Sequence, residues 1–201
     1  TTRGSLSVNT ELENETADSW TIGAVFTPTF APGLTLSVDW VDIALEGAIQ
    51  SVNAEGTLEA CYDANDFPNS ACDRIDRDGA GQVEFIRTGY LNVASYDYQG
   101  VIADLRWTEA TPFLGADSRI SLRGSYQYID KLEQQVGTGD LSTFRGSPGY
   151  SKHQATVGVT YENNGFGAFT QIQYIGENVV DPDAAPTSYQ FFERDEIVYM
   201  D

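Results

Sequence analysis

An all-β, antiparallel fold is the class this sequence predicts, on three observations. Apolar and polar residues alternate with period two in segment after segment. The alternating segments are separated by breaks rich in Pro, Gly and Asn. Composition agrees: 12% of residues are aromatic, with 11 Tyr, 10 Phe and 19 Gly against a single Met, which favours strands and turns over helices.

The elements follow in order. In "SWTIGAVFTPTFAPGLTLSVDW", Trp20, Ile22, Ala24 and Phe26 share one face before the break. Leu34, Leu36, Val38 and Trp40 share one face after it, opposite Thr35, Ser37 and Asp39. Two antiparallel strands joined by a tight turn are expected here. In "YQGVIADLRWT", Val101, Ala103, Leu105 and Trp107 alternate with Ile102, Asp104 and Arg106. In "SRISLRGSYQYID", Ile120, Leu122, Tyr126 and Tyr128 alternate with Ser121, Arg123, Ser125 and Gln127. In "HQATVGVTYE", Ala155, Val157, Val159 and Tyr161 alternate with Gln154, Thr156, Gly158 and Thr160. "GFGAFTQIQYIG" is noisier, with Phe166, Ala168, Ile172 and Tyr174 set against Gln171 and Gln173, and "EIVYMD" begins a last strand.

The connections separate a sandwich from a membrane barrel. "TPTFAPG", "EATPFLGADS" and "ENNG" are short, whereas approximately 49–94, 132–151 and 179–195 are long. Short and long alternate strictly, the expected topology of an outer-membrane barrel with short turns on one side and long loops outside. Large aromatics stand near strand ends in the apolar rows: Trp20, Trp40, Trp107, Tyr128, Tyr161 and Tyr174. Aromatic girdles at the two membrane interfaces produce that placement. The competing reading makes these residues the core of a secreted, disulfide-bonded β-sandwich that binds carbohydrate through exposed aromatics. A third reading is an acidic surface-layer or adhesion protein.

Charge narrows the partners. With 30 Asp+Glu against 11 Lys+Arg the net charge is −19, so nucleic acid is not an expected partner. No run of about 20 apolar residues is present, which excludes a membrane-spanning helix and leaves barrel strands open. The start "TTRGSLSVNT" carries no signal-peptide pattern and no Met, and six strands with the start of a seventh do not close a membrane barrel. A piece of one larger barrel domain spanning 1–201 is therefore expected.

Cys61 and Cys72 lie in the polar stretch "ACYDANDFPNSACDR". A short-range disulfide is preferred there over free thiols, and it implies an oxidising compartment. Closing so small a loop constrains the unfolded chain by roughly 3 kcal/mol. Two cysteines and the lone His153 are too few for a zinc site. "DRIDRDGAGQVE" fails as a calcium loop, because Arg74 and Phe85 fall at its first and last ligand positions. Ser151 and His153 have no patterned carboxylate partner, and no spaced carboxylate pair suggests glycosidase chemistry. No enzyme, metal or cofactor is expected.

Several stretches taken together resemble one family. "ELENETADSWTIGAVF" resembles a segment of TonB-dependent outer-membrane receptors that reads L-x-x-E-x-A-x-S-W/Y-x-x-G, carried here by Leu12, Glu15, Ala17, Ser19, Trp20 and Gly23. The Pro common before that Glu is Asn14. The loop from Cys61 to Cys72 resembles the paired-cysteine extracellular loop of a large proteobacterial subgroup. "GYLNVASYDYQGVIADLRW" is similar to the family's N-x-A-x-x-x-x-G-x-x-x-x-L-x-Y/W stretch, with Asn92, Ala94, Gly100, Leu105 and Trp107. "RGSPGYSKHQATVGVTYENNGFGAFTQIQYIGE" resembles its late G-x-P loop and following hairpin.

The resemblance implies a 22-stranded barrel around an N-terminal plug, of which this chain would hold approximately strands 14 to 19 and the start of strand 20. It implies uptake of a large, scarce nutrient (a saccharide, a siderophore or similar, with a lean toward saccharides), driven by TonB acting on the plug. Partners would be outer-membrane lipid, the rest of the barrel with its plug, the TonB complex and the substrate. Substrate contacts would fall on the loop residues Tyr62, Asp66, Phe67, Arg74, Arg77, Phe144, Tyr150 and Tyr189. Arg106 and Arg123 would face the lumen, where they would either contact the substrate as well or pair with carboxylates of the plug. The apolar rows Trp20, Ile22, Phe26, Leu34, Leu36, Val38, Trp40, Val101, Leu105, Trp107, Ile120, Leu122, Tyr126, Tyr128, Val157, Val159 and Tyr161 would face lipid.

Overall fold

The computed structural model describes residues 3–6, 12–62, 67–69, 71–137 and 141–201. The chain folds as two units: 1–18, 43–97 and 133–143 form the first, and 19–42, 98–132 and 144–201 the second. Strands β1 (Arg3–Leu6), β2 (Thr16–Phe26) and β3 (Thr35–Val52) precede helix α1 (Ala54–Tyr62). Then come β4 (Ile75–Arg77), β5 (Val83–Ala110), β6 (Arg119–Val136), β7 (Ser142–Thr143), β8 (His153–Asn163) and β9 (Phe166–Ile175). The short β10 (Asn178–Val179), β11 (Glu193–Arg194) and β12 (Ile197–Met200) follow. No described helix is long and apolar enough to cross a membrane, which says nothing of crossing by strands.

Strands of the second unit pair in the order β12-β9-β8-β6-β5-β3-β2. Each neighbour in the run from β2 to β8 is also next along the chain, skipping only short strands, so the sheet is an antiparallel meander. Register carries the alternation from strand to strand. Ile120, Leu122 and Tyr126 lie opposite Tyr161, Val159 and Ala155, while Val157 and Ala155 lie opposite Ile172 and Tyr174. The polar rows match in the same way, with Ser121 opposite Thr160 and Ser125 opposite Thr156. A slip of one residue would mix the two sets, so the apolar pattern itself fixes the pairing.

The turns use the residues they demand. Leu34 N–H donates to the Ala31 carbonyl across Pro32-Gly33, with Gly33 at φ 80°, which is a type II turn. Asn164-Gly165 joins β8 to β9 with both residues at positive φ, the combination of a type I′ hairpin.

The first unit contains the elements that period-two reading missed. Strands β3, β5 and β6 run on to Val52, back to Val83 and on to Val136, inside stretches expected to be loops. Side chains there have no single apolar face, so alternation fades while backbone pairing continues. Helix α1 is short, nine residues, and Asn53 caps it: its Oδ1 accepts from Gly56 N–H at 2.8 Å. Near it, the acidic "DRIDRDGAGQVE" is a hairpin, in which Asp78 Oδ1 accepts from the N–H groups of Ala80 and Gln82. Asp78 therefore closes a turn.

Burial differs between the units. The first has a small core of Ala48, Val52, Cys61, Ala71, Ile86 and Ala94. In the second, Ile129 is the only large apolar side chain that is buried, among the described residues. Its apolar row stands open instead: Trp20 is 73% exposed, Ile22 72%, Val38 50% and Val157 42%.

Candidate functional site

Three places hold the residues expected to meet a ligand. The first lies on the loop stapled by the Cys61–Cys72 disulfide, which closes an 11-residue separation and ties the last turn of α1 to the segment before β4. It gathers Tyr62, Phe67 and Arg77. The Tyr62 and Phe67 rings are 5.6 Å apart between centroids. The Arg77 guanidinium lies 5.5 Å from the Tyr62 centroid, donates to the Tyr62 hydroxyl and also donates to the Gly81 carbonyl. Cation–π contact of this kind contributes about 0.5–1 kcal/mol at an exposed site. Phe67 remains 57% exposed, so the cluster presents an aromatic surface.

Arg74 does not join that surface. It is half-buried, and its Nε donates to the Arg87 carbonyl at 3.0 Å, which makes it part of the scaffold. Arg87 in turn pairs with Asp76 at 2.6 Å, an ion pair that nothing in the sequence pattern signals. Asp66 lies outside the described residues.

In the second unit, Phe144 and Tyr150 meet edge to face with centroids 6.2 Å apart. The turn beneath them is held by Ser147 N–H on the Phe144 carbonyl and by Tyr150 N–H on the Ser147 carbonyl. Tyr189 donates to Asp181 Oδ2 at 3.4 Å. Beside them, Ser151 is fully buried and accepts from Asn178 Nδ2 at 3.2 Å, so it is a structural hydroxyl. His153 lies opposite Tyr128, stacks on it at 5.1 Å and shares a 2.8 Å hydrogen bond with the Tyr126 hydroxyl.

The third place is a recess of about 290 Å³ on the polar face of the sheet, lined by Asp104, Arg106, Arg123, Phe169 and Gln171 among others. Arg106 and Arg123 are both exposed there. Phe169 is the member that sequence reading missed: it lies opposite Thr160, on the polar face, and is 62% exposed.

The apolar face shows two aromatic belts. Tyr161, which donates to the Leu114 carbonyl, stands with Trp107 and Phe26 near the short turns. Trp20, Trp40, Tyr126, Tyr128 and Tyr174 stand farther along their strands from those turns, with Tyr126 opposite Ala155 and Ala155 opposite Tyr174. Leu36, Val38, Val101, Leu105, Leu122, Val157 and Val159 fill the band between, with Ile120 and Leu34 toward the turns.

A family model described as TonB dependent receptor-like, beta-barrel, matches residues 1–195. No curated protein and no solved structure matches the chain.

Proposed function

The chain belongs to the TonB-dependent receptor β-barrel family, a family of outer-membrane transport receptors, and on that premise we propose that it forms one arc of a barrel that imports a large, scarce nutrient. The observation that carries the proposal is an apolar row, continuous across the strands of the second unit, that has no core to enter and is bounded by aromatics at both ends. Strands β2, β8 and β9 are 11, 11 and 10 residues long, which fits the 9–11 or so residues that tilted strands need to cross a bilayer. On this reading the apolar rows face outer-membrane lipid, and the polar rows face the lumen and the plug.

The long connections then lie outside the cell, where Tyr62, Phe67 and Arg77, with Phe144, Tyr150 and Tyr189, are the proposed capture residues for a saccharide, siderophore or similar ligand. Release inward is assigned to TonB acting through the plug. The soluble sandwich is less well supported. It needs a second sheet over the apolar row, and the described strands left over, β10 and β11, pair only with each other.

Orientation is testable in intact cells producing the full-length receptor. A cysteine at Tyr189, in a long connection, is expected to react with a membrane-impermeant maleimide. A cysteine at Phe113, 81% exposed in a short turn, is expected to react only after the outer membrane is permeabilised. Equal labelling of both in intact cells contradicts the proposal.

A further inference from the structure

Strands β5 and β6 are neighbours, and three contacts fix their register. Thr111 N–H donates to the Ser118 carbonyl, Thr108 Oγ1 and Ser121 Oγ lie 3.2 Å apart, and Leu105 Cβ lies 3.6 Å from the Cβ position of Gly124. The same register sets Arg106 directly across from Arg123, on the polar face. Like charges directly opposite on a sheet are destabilising. The two arginines have no carboxylate partner among the described residues, although Asp104 lines the same recess. In a chain with only 11 Lys+Arg, so unfavourable a pairing calls for a compensating anion.

The row continues across the sheet. Arg123 lies opposite Gly158, and Gly158 opposite Gln171. Gly158 leaves a gap in the row, and the Phe169 ring leans over it, 3.1 Å from the glycine's Cβ position. Asp201, next along the row, is three strands from Arg123, roughly 14 Å away at the usual strand spacing.

From this juxtaposition we infer that Arg106 and Arg123 form a clamp for a carboxylate-bearing solute. Paired guanidinium groups offer the planar, forked donors that a carboxylate accepts. Asp104 leaves the recess with one net positive charge, which suits a single carboxylate better than a phosphate dianion. Phe169 supplies an apolar face for the solute's carbon skeleton, and Gln171 a further donor. The inference rests on the proposed reading of this face as the lumen of an uptake receptor. It adds the class of solute carried past these residues: acidic and partly apolar, with the uronic acid unit of an acidic saccharide as the nearest chemical type.

The test uses the full-length receptor, purified in detergent, with folding checked by heat-modifiable gel mobility. Trigalacturonate is the probe, and galactotriose its neutral counterpart, at low ionic strength. Trigalacturonate is expected to bind saturably and to raise the parent's Tm, with galactotriose doing neither. Arg106→Gln and Arg123→Gln should each weaken trigalacturonate binding about tenfold, as loss of one charged hydrogen-bonding group does. Without ligand, both variants should match or exceed the parent's Tm, because a repulsion has been removed. Absence of saturable binding, equal binding of the neutral trisaccharide, or affinity unchanged in both variants overturns the clamp. So does a ligand-free Tm several degrees below the parent's, which would mean that a carboxylate of the receptor itself occupies the pair. In all those results the receptor still migrates as a folded barrel. A receptor with no heat-modifiable form overturns the barrel reading, and the clamp with it.

Discussion

Val38→Lys in the full-length receptor is expected to destabilise the folded barrel by about 2–4 kcal/mol and to slow or abolish insertion into lipid vesicles. Val38 stands midway along its row, between Leu36 and Trp40, and its side chain is half exposed with no apolar partner layer over it. In lipid that exposure is favourable for valine, and a lysine there must bring its ammonium into hydrocarbon. Ser37→Lys, one residue away and half-buried on the opposite, polar face, is expected to cost less than about 1 kcal/mol, because its long side chain can keep the ammonium in water. Urea titration of the two variants in vesicles reads the difference. Equal costs would place both faces in the same medium and contradict the lipid-facing assignment.

Gly33→Ala is expected to cost about 2–4 kcal/mol for two additive reasons. At φ 80°, an L-residue with a side chain is strained by about 1–2 kcal/mol. The new methyl would also lie 2.2 Å from the Thr108 carbonyl oxygen, which is backbone and cannot swing aside. That approach is close because Thr108 N–H donates to the Gly33 carbonyl, holding the β2–β3 turn against β5. Gly165→Ala makes the informative comparison. It has nearly the same φ, 81°, with nothing within 4 Å of the added carbon, so it should show the strain alone. If the two variants unfold at the same urea concentration, the close approach at Gly33 carries no weight.

How much was legible in the sequence depends on where the chain has one apolar side. From His153 to Asn163, and in the partners of that strand, every second residue answers to the same medium, and pattern alone yields strand, face and register. Beyond Asp42 and before Tyr98 no such medium selects a face, so the pattern dissolves and the strand extensions, α1 and the β4–β5 hairpin are invisible to it. Asn53 is a capping signal that sequence reading passed over. The loop cluster was legible only as types of residue. That Tyr62, Phe67 and Arg77 meet, while Arg74 is spent on a backbone carbonyl, depends on the disulfide and the hairpin together. The facing arginines were beyond sequence reading, since Arg106 and Arg123 are adjacent only once the β5–β6 register is known.

The most direct measurement is a nitroxide scan of residues 154–161 in the full-length receptor reconstituted in lipid vesicles. Collision with oxygen, which concentrates in lipid, is expected to peak at positions 155, 157, 159 and 161. Collision with a water-soluble nickel chelate is expected to peak at 154, 156, 158 and 160. Alternation in the opposite phase, or uniform chelate access at all eight positions, would show that these strands do not face lipid, and the barrel reading would fall.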